Sequence, residues 1–265
     1  MSEVLRPRVG IHDFLNSRPI LHPFRHGLVN MPFKLVTDTP ANLADMFHNG
    51  ELDMALIPSI EYGRNPDAVI VPVVCIASIG KVETVLLFSE NAIEDIDSVC
   101  VDPRSRTSVA MLRILMKERF GKDISIVTGS GSNPEEMLRN AEAGLLIGDA
   151  AFAVNREKYM VHDLGEEWFT HCGRPFVHAM LCAKRGEKWD EAVAAIAEAK
   201  EAGLKNRELI ARQETHDHRK ADEIYDYLSK RIIYDLNSEE KDGLSHFLSA
   251  AKRMDLCLRD NLEFY

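Results

Sequence analysis

Arg104, Ser105, Arg106, Thr107 and Ser108 place two guanidinium groups and three hydroxyls within five consecutive residues. A short β-branched run, Val99 to Val101, stops just before them at Asp102-Pro103. Beyond them Val109, Leu112, Leu115 and Met116 recur at helical spacing, Arg113, Lys117 and Arg119 are left for solvent, and Gly121 ends the segment. The hydroxyls therefore fall in the loop and first turn of a helix, where backbone N–H groups lack intrahelical partners and the helix dipole favours negative charge. A carboxylate placed there meets N–H and hydroxyl donors and the fork of Arg104 or Arg106. The plainer reading is that Ser105 or Thr107 caps the helix.

Other polar residues stand at strand ends, which face the ligand crevice in open α/β sheets. Asn16-Ser17-Arg18-Pro19 follows the first strand, Ser59 the third, Ser78 separates two long strands, and Gly148-Asp149 follows another. Asn16 and Asp149 could equally cap helices, Ser59 could serve a turn and Ser78 a hairpin. A buried Asp149 would repel an anion, whereas the Asn16 amide donates and accepts without changing charge.

Other chemistries find little support. The ten histidines form no metal-ligand spacing; His22 and His26 lie four apart without a glutamate motif, and His216-Asp217-His218 reads as a solvated helical face. No GxSxG elbow occurs and no cysteine has an activating context. GSGSNP at 129 to 134 lacks the spacing of a phosphate cradle and reads as a loop capped by Ser132 or Asn133. No metal or cofactor is expected.

At 265 residues, 45% hydrophobic and 28% charged, the chain suits one large domain or two lobes with sizeable cores. A net charge of −10 argues against nucleic acid and against anionic membranes. Five cysteines without CxxC spacing, no signal-like N-terminus and no long apolar run predict a cytoplasmic protein.

Strand and helix signals alternate up to residue 183, after which an alanine-rich segment from Glu187 to Gly203 begins a helical C-terminal part. Thr39-Pro40 opens one helix and Gly50 closes it. Such alternation predicts an α/β fold with mostly parallel sheets. The long strands near 70 to 89 and 174 to 183 are read as crossings, giving residues 1–86 plus 180–265 as lobe 1 and 87–179 as lobe 2. This is the layout of a two-lobed periplasmic-binding-protein-like fold of the second type, with the ligand cleft between the lobes.

FLNSRPI at 14 to 20, GELDMALIPSIEY at 50 to 62, CIASIGKVETVLLFS at 75 to 89, DPRSRTSVAMLRILM at 102 to 116, LLIGDAA at 145 to 151 and DLGEEWFTHCGRPFVHAM at 163 to 180 together resemble the chorismate dehydratases of the futalosine route to menaquinone. The resemblance runs the length of the chain and includes IIYDL and GLSHF near its end. It implies dehydration of chorismate to 3-[(1-carboxyvinyl)oxy]benzoate, without metal or nucleotide, in the cleft of that two-lobed fold. It assigns the family's asparagine to Asn16, as the catalytic residue, and its hydroxyl cluster to Ser105, Thr107 and Ser108. Arg18, Ser59, Ser78, Arg106, Gly148, Asp149 and Phe176 complete the expected substrate wall. HCGRPF at 171 to 176 departs from the family's TGxPF, with Pro175-Phe176 kept. Two other readings stand beside this one: a non-catalytic receptor for a small anion, and the sister enzyme that releases 1,4-dihydroxy-6-naphthoate, whose SPCPNDTF-like start is not matched by GIHDFLNSRP.

Overall fold

The computed structural model describes residues 6–129, 131–215 and 219–265. The His216-Asp217-His218 triplet and Ser130 of the 129–134 loop lie outside them. From the N-terminal side, β1 (Arg8–Gly10) leads through a 3-10 turn at Leu15–Ser17 into α1 (Arg18–Arg25), followed by β2 (Lys34–Val36), α2 (Pro40–His48), β3 (Met54–Pro58), α3 (Ser59–Arg64) and β4 (Ala68–Ser78). The chain then crosses into β5 (Val85–Ser89), β6 (Ser98–Val101), α4 (Thr107–Phe120), β7 (Ser125–Thr128), α5 (Pro134–Asn140), β8 (Ala143–Ile147), a 3-10 turn at Gly148–Ala153, β9 (Met160–Asp163) and α6 (Leu164–Cys172). It returns as β10 (Phe176–Lys184) and finishes in α7 (Asp190–Lys205), α8 (Arg207–Gln213), α9 (Ala221–Asp226), a π turn at Tyr227–Arg231 and α10 (Ser238–Arg253).

Two five-stranded sheets result, ordered β2-β1-β3-β10-β4 and β7-β6-β8-β5-β9. Both are mixed, where mostly parallel sheets were expected. β10 runs antiparallel to β3 and β4, and β5 runs antiparallel to β8 and β9. The reason lies in the crossings, because a strand entering a sheet from the other lobe arrives without the covering helix that makes a neighbour parallel. Sheet membership also shifts the expected boundaries: Val85 and Leu86 pair with β8 in the second sheet, and Phe176 to Ala179 pair in the first. β9 and α6 are not among the elements expected from the sequence.

Local signals account for several helix ends. Thr39 Oγ1 accepts from Asn42 N with Pro40 at the first position of α2, and Asn133 caps α5 ahead of Pro134. Gly121 closes α4 in the left-handed region at φ 70°. α4 departs from its expected amphipathic form: Ala110, Met111, Leu112, Ile114, Leu115 and Met116 are all buried. It packs on α6 of its own lobe and on α3, α10 and β10 of the other, and only Lys117, Glu118 and Arg119 of its last turn are exposed.

A continuous core runs through both lobes, and a smaller one lies on the outer face of the second sheet. β5 divides between them by strand periodicity, Leu87 facing the large core and Leu86 and Phe88 the small one. Trp168 of α6, Phe176 of β10 and Phe247 of α10 meet edge to face with centroids 5.0 to 6.0 Å apart, tying the lobes together behind the crossings.

α1 and α7 approach so closely that a Cβ at Gly203 would fall on the backbone carbonyl of Pro19. A main-chain obstacle cannot swing aside as a side chain would. Gly203→Ala is therefore expected to destabilise the fold by about 1–3 kcal/mol, despite the better helix propensity of alanine. A chemical denaturation midpoint at or above that of the unmodified protein would show that the two helices separate at little cost.

Candidate active site

The ends of β1, β3, β5 and β8 converge with the first turn of α4 on one cleft between the sheets, enclosing about 560 Å³ counted to its open mouth. Ser105, Arg106, Thr107 and Ser108 line it from the second lobe with Gly148; His12, Asn16 and His178 line it from the first. Phe14, Pro40, Pro58, Ile76, Val82, Val85, Ile147 and Ala179 give it apolar walls, and Thr84 and Arg104 add donors. Few, convergent polar groups on an apolar lining are what a small-molecule site requires.

Four members of the hydroxyl and arginine cluster are placed differently from one another. α4 begins at Thr107 with Arg106 at the cap position, and no side chain caps it. Thr107 Oγ1 instead accepts from Ile60 N of the other lobe at 3.2 Å. The Ser105 hydroxyl is buried with no partner among the described residues, so this turn retains both its open N–H groups and an unused hydroxyl. The arginines are largely engaged. Arg106 forms a two-pronged pair with Asp45, at 2.9 and 2.7 Å, and lies 3.5 Å from Glu61. Arg104 grips buried Asp102 through Nε and Nη2, while its guanidinium carbon lies 5.6 Å from the Phe14 ring centroid. Its Nη1 has no acceptor among the described residues.

On the facing wall, Asn16 sits in the 3-10 turn after β1 and caps neither that turn nor α1. Its Oδ1 accepts from Ser17 Oγ at 3.5 Å, and its side chain stands beside the Tyr227 hydroxyl, which is 3.1 Å from Thr84 Oγ1. Burial pushes the Tyr227 hydroxyl far above the usual phenol range, so this chain of groups is neutral. His12 Nδ1 lies 2.9 Å from Ser17 Oγ, and His178 Nε2 lies 2.9 Å from Ser78 Oγ. Burial lowers both histidines to about 4, and each is uncharged at neutral pH.

The remaining candidates from the sequence do not line the cleft, because other groups claim them. Arg18 is paired with Asp13 and Glu214. Ser59 donates to Val177 O at 2.6 Å, and Ser78 turns to His178. The Asp149 carboxylate lies behind the wall, 3.4 Å from Leu15 N, its pKa raised by burial. Phe176 is spent in the aromatic cluster with Trp168 and Phe247. Conversely His12, His178, Thr84 and Tyr227 were not singled out as site residues. The position of His12 just past the end of β1 was a usable signal; nothing local marks Tyr227.

A family model described as menaquinone biosynthesis matches residues 7–253. A chorismate dehydratase of Thermus thermophilus is 27% identical, over 93% of this chain and 96% of its own. Among solved structures, a protein from Archaeoglobus fulgidus superposes with a TM-score of 0.73 at 16% identity, covering 95% of this chain and 98% of that one. The periplasmic aliphatic sulphonate binding protein SsuA of Escherichia coli gives 0.65 at 16% identity, covering 97% and 95%. These two likenesses establish the periplasmic-binding-protein-like fold. No described helix is long and apolar enough to cross a membrane.

The neutral histidines link the site to stability. Each holds fewer protons in the folded state than its ordinary value of 6.5 would give, so the contribution is present above pH 6.5 and lost as pH falls towards 4. The loss across that window is on the order of 3 kcal/mol per histidine. Replacing His12 and His178 by glutamine should flatten the stability profile between pH 6.5 and 4 in urea titrations. An unchanged slope would mean that neither ring is kept neutral by the fold.

Proposed function

This chain belongs to the menaquinone-biosynthesis family, and from that membership we propose that it is a chorismate dehydratase, a lyase that converts chorismate to 3-[(1-carboxyvinyl)oxy]benzoate and water. The observation that carries the reading is the uncapped α4 turn in the cleft, with the unpartnered Ser105 hydroxyl lining the same cleft as Asn16. The named activity of the Thermus relative supports the substrate.

Chorismate bears two carboxylates. One fits the α4 turn, where Ser105, the N–H groups of the first turn and the free edge of Arg104 act as donors; the apolar walls hold the ring. Asn16 is the proposed catalytic residue, because its amide can orient an oxygen of the substrate without adding charge. Loss of the C3 proton and the C4 hydroxyl makes the ring aromatic, which supplies the driving force. The side chains reaching the cleft are neutral or already paired. The two histidines are no better bases than a carboxylate, lowered to about 4 by burial and each held by a serine hydroxyl, so the proton acceptor in this mechanism is a carboxylate of the substrate itself, held in a reactive conformer by the cleft walls.

Purified protein incubated with chorismate should give the aromatic product, followed by absorbance and mass; a chain that binds chorismate without converting it would be a receptor. Asn16→Asp places a like charge beside the anion and Asn16→Ala removes the amide, so both should lose turnover while melting normally. Near-normal rates in both would assign Asn16 to the turn alone. Ser105→Ala should weaken product binding by about 1.5–3 kcal/mol in calorimetry, as expected for a lost hydrogen bond to a charged group. Unchanged affinity would remove Ser105 from the site.

A further inference from the structure

Two buried polar atoms of residues lining the cleft lack a protein partner among the described residues: Ser105 Oγ, already placed in the carboxylate cradle, and His178 Nδ1. They stand on opposite lobes. The His178 ring is held on two sides, by Ser78 Oγ 2.9 Å from Nε2 and by the Phe176 ring edge-on with centroids 4.9 Å apart. Ser78 Oγ makes no other hydrogen bond among the described residues. If Nε2 carried the ring proton, the buried Ser78 hydroxyl proton would have no acceptor, a costly arrangement. The favoured arrangement has Ser78 Oγ–H donating to Nε2, which leaves the proton on Nδ1.

We propose that His178 is a further substrate-binding residue, whose Nδ1–H donates a hydrogen bond to the ring hydroxyl that leaves as water. The assignment rests on the chorismate dehydratase reading. One carboxylate is met by the α4 turn and another is the proton acceptor, whose basicity a donated hydrogen bond would lower, which leaves the ring hydroxyl as the oxygen for this donor. As the C4–O bond breaks, its electron pair goes to oxygen, the C3–H pair enters the ring, and the proton taken from C3 completes the water. His178 keeps its own proton throughout and stabilises charge developing on the leaving oxygen, a contribution that grows in a desolvated cleft.

The substrate carries this hydroxyl and the aromatic product does not, which separates the assignment from a merely structural role. His178→Phe keeps the ring volume and removes both nitrogens; His178→Asn restores a donor and serves as the second variant should the first fold poorly. For His178→Phe, kcat on chorismate should fall about 100-fold while Kd for 3-[(1-carboxyvinyl)oxy]benzoate stays unchanged, with His178→Asn recovering part of the loss. Unaltered turnover in His178→Phe, or equal losses of turnover and product affinity, would overturn the assignment and leave the dehydratase reading standing. Failure of the unmodified protein to convert chorismate would overturn both, and is seen before any variant is made.

Discussion

Arg106 is the contact on which the arrangement of the cleft depends. It extends from the cap position of α4 in the second lobe to Asp45 and Glu61 in the first. Beside it, Thr107 receives the Ile60 N–H across the same gap. A bidentate arginine–carboxylate pair fixes direction as well as distance, so the first turn of α4 is held against the first lobe with its open N–H groups on the cleft. Glu61 is almost fully buried and is shared with Arg64, which keeps the cluster balanced where desolvation would otherwise be costly.

That use of Arg106 shapes the electrostatics of the site. On the proposed reading, a chain with a net charge of −10 holds an anion against its own overall field. Its two nearest arginines are mostly neutralised, one by Asp45 and one by Asp102. What remains on the walls is oriented and uncharged: an uncapped helix turn, a buried serine hydroxyl, an asparagine amide and two neutral histidines. Fixed dipoles of this kind need no reorganisation when charge moves in the substrate. They also impose no net charge on the cleft.

β10 couples this site to the core through adjacent residues. Phe176 points into the aromatic cluster that binds the lobes behind the cleft, while its neighbours Val177 and His178 serve Ser59 and Ser78. The antiparallel pairing of β10 with β3 and β4 carries irregular register at Val177/Ala179 and Met180/Cys182. A return crossing thus contributes to the sheet, to the inter-lobe packing and to the cleft wall within three residues.

Much of the architecture was legible in the order of residues alone. Periodicity, Thr39-Pro40, Asn133-Pro134 and Gly121 delimit elements through local backbone chemistry, and such signals survive any tertiary context. The helix junction at Ser105 to Ser108, Asn16 and Gly148 could likewise be placed on a crevice, because polar residues at strand ends face it by topology. Tertiary structure decided which side chains remain free there. Arg18 stands at the start of α1 and Ser59 and Asp149 at strand ends, yet Glu214, Val177 O and Leu15 N claim them, from partners over a hundred residues away. His178, Thr84 and Tyr227 acquire a role only through Ser78, Asn16 and one another. A hydrogen bond between distant residues leaves no periodic trace in the chain, so the sequence by itself determined where donors could stand, and only folding settled which of them were left for a ligand.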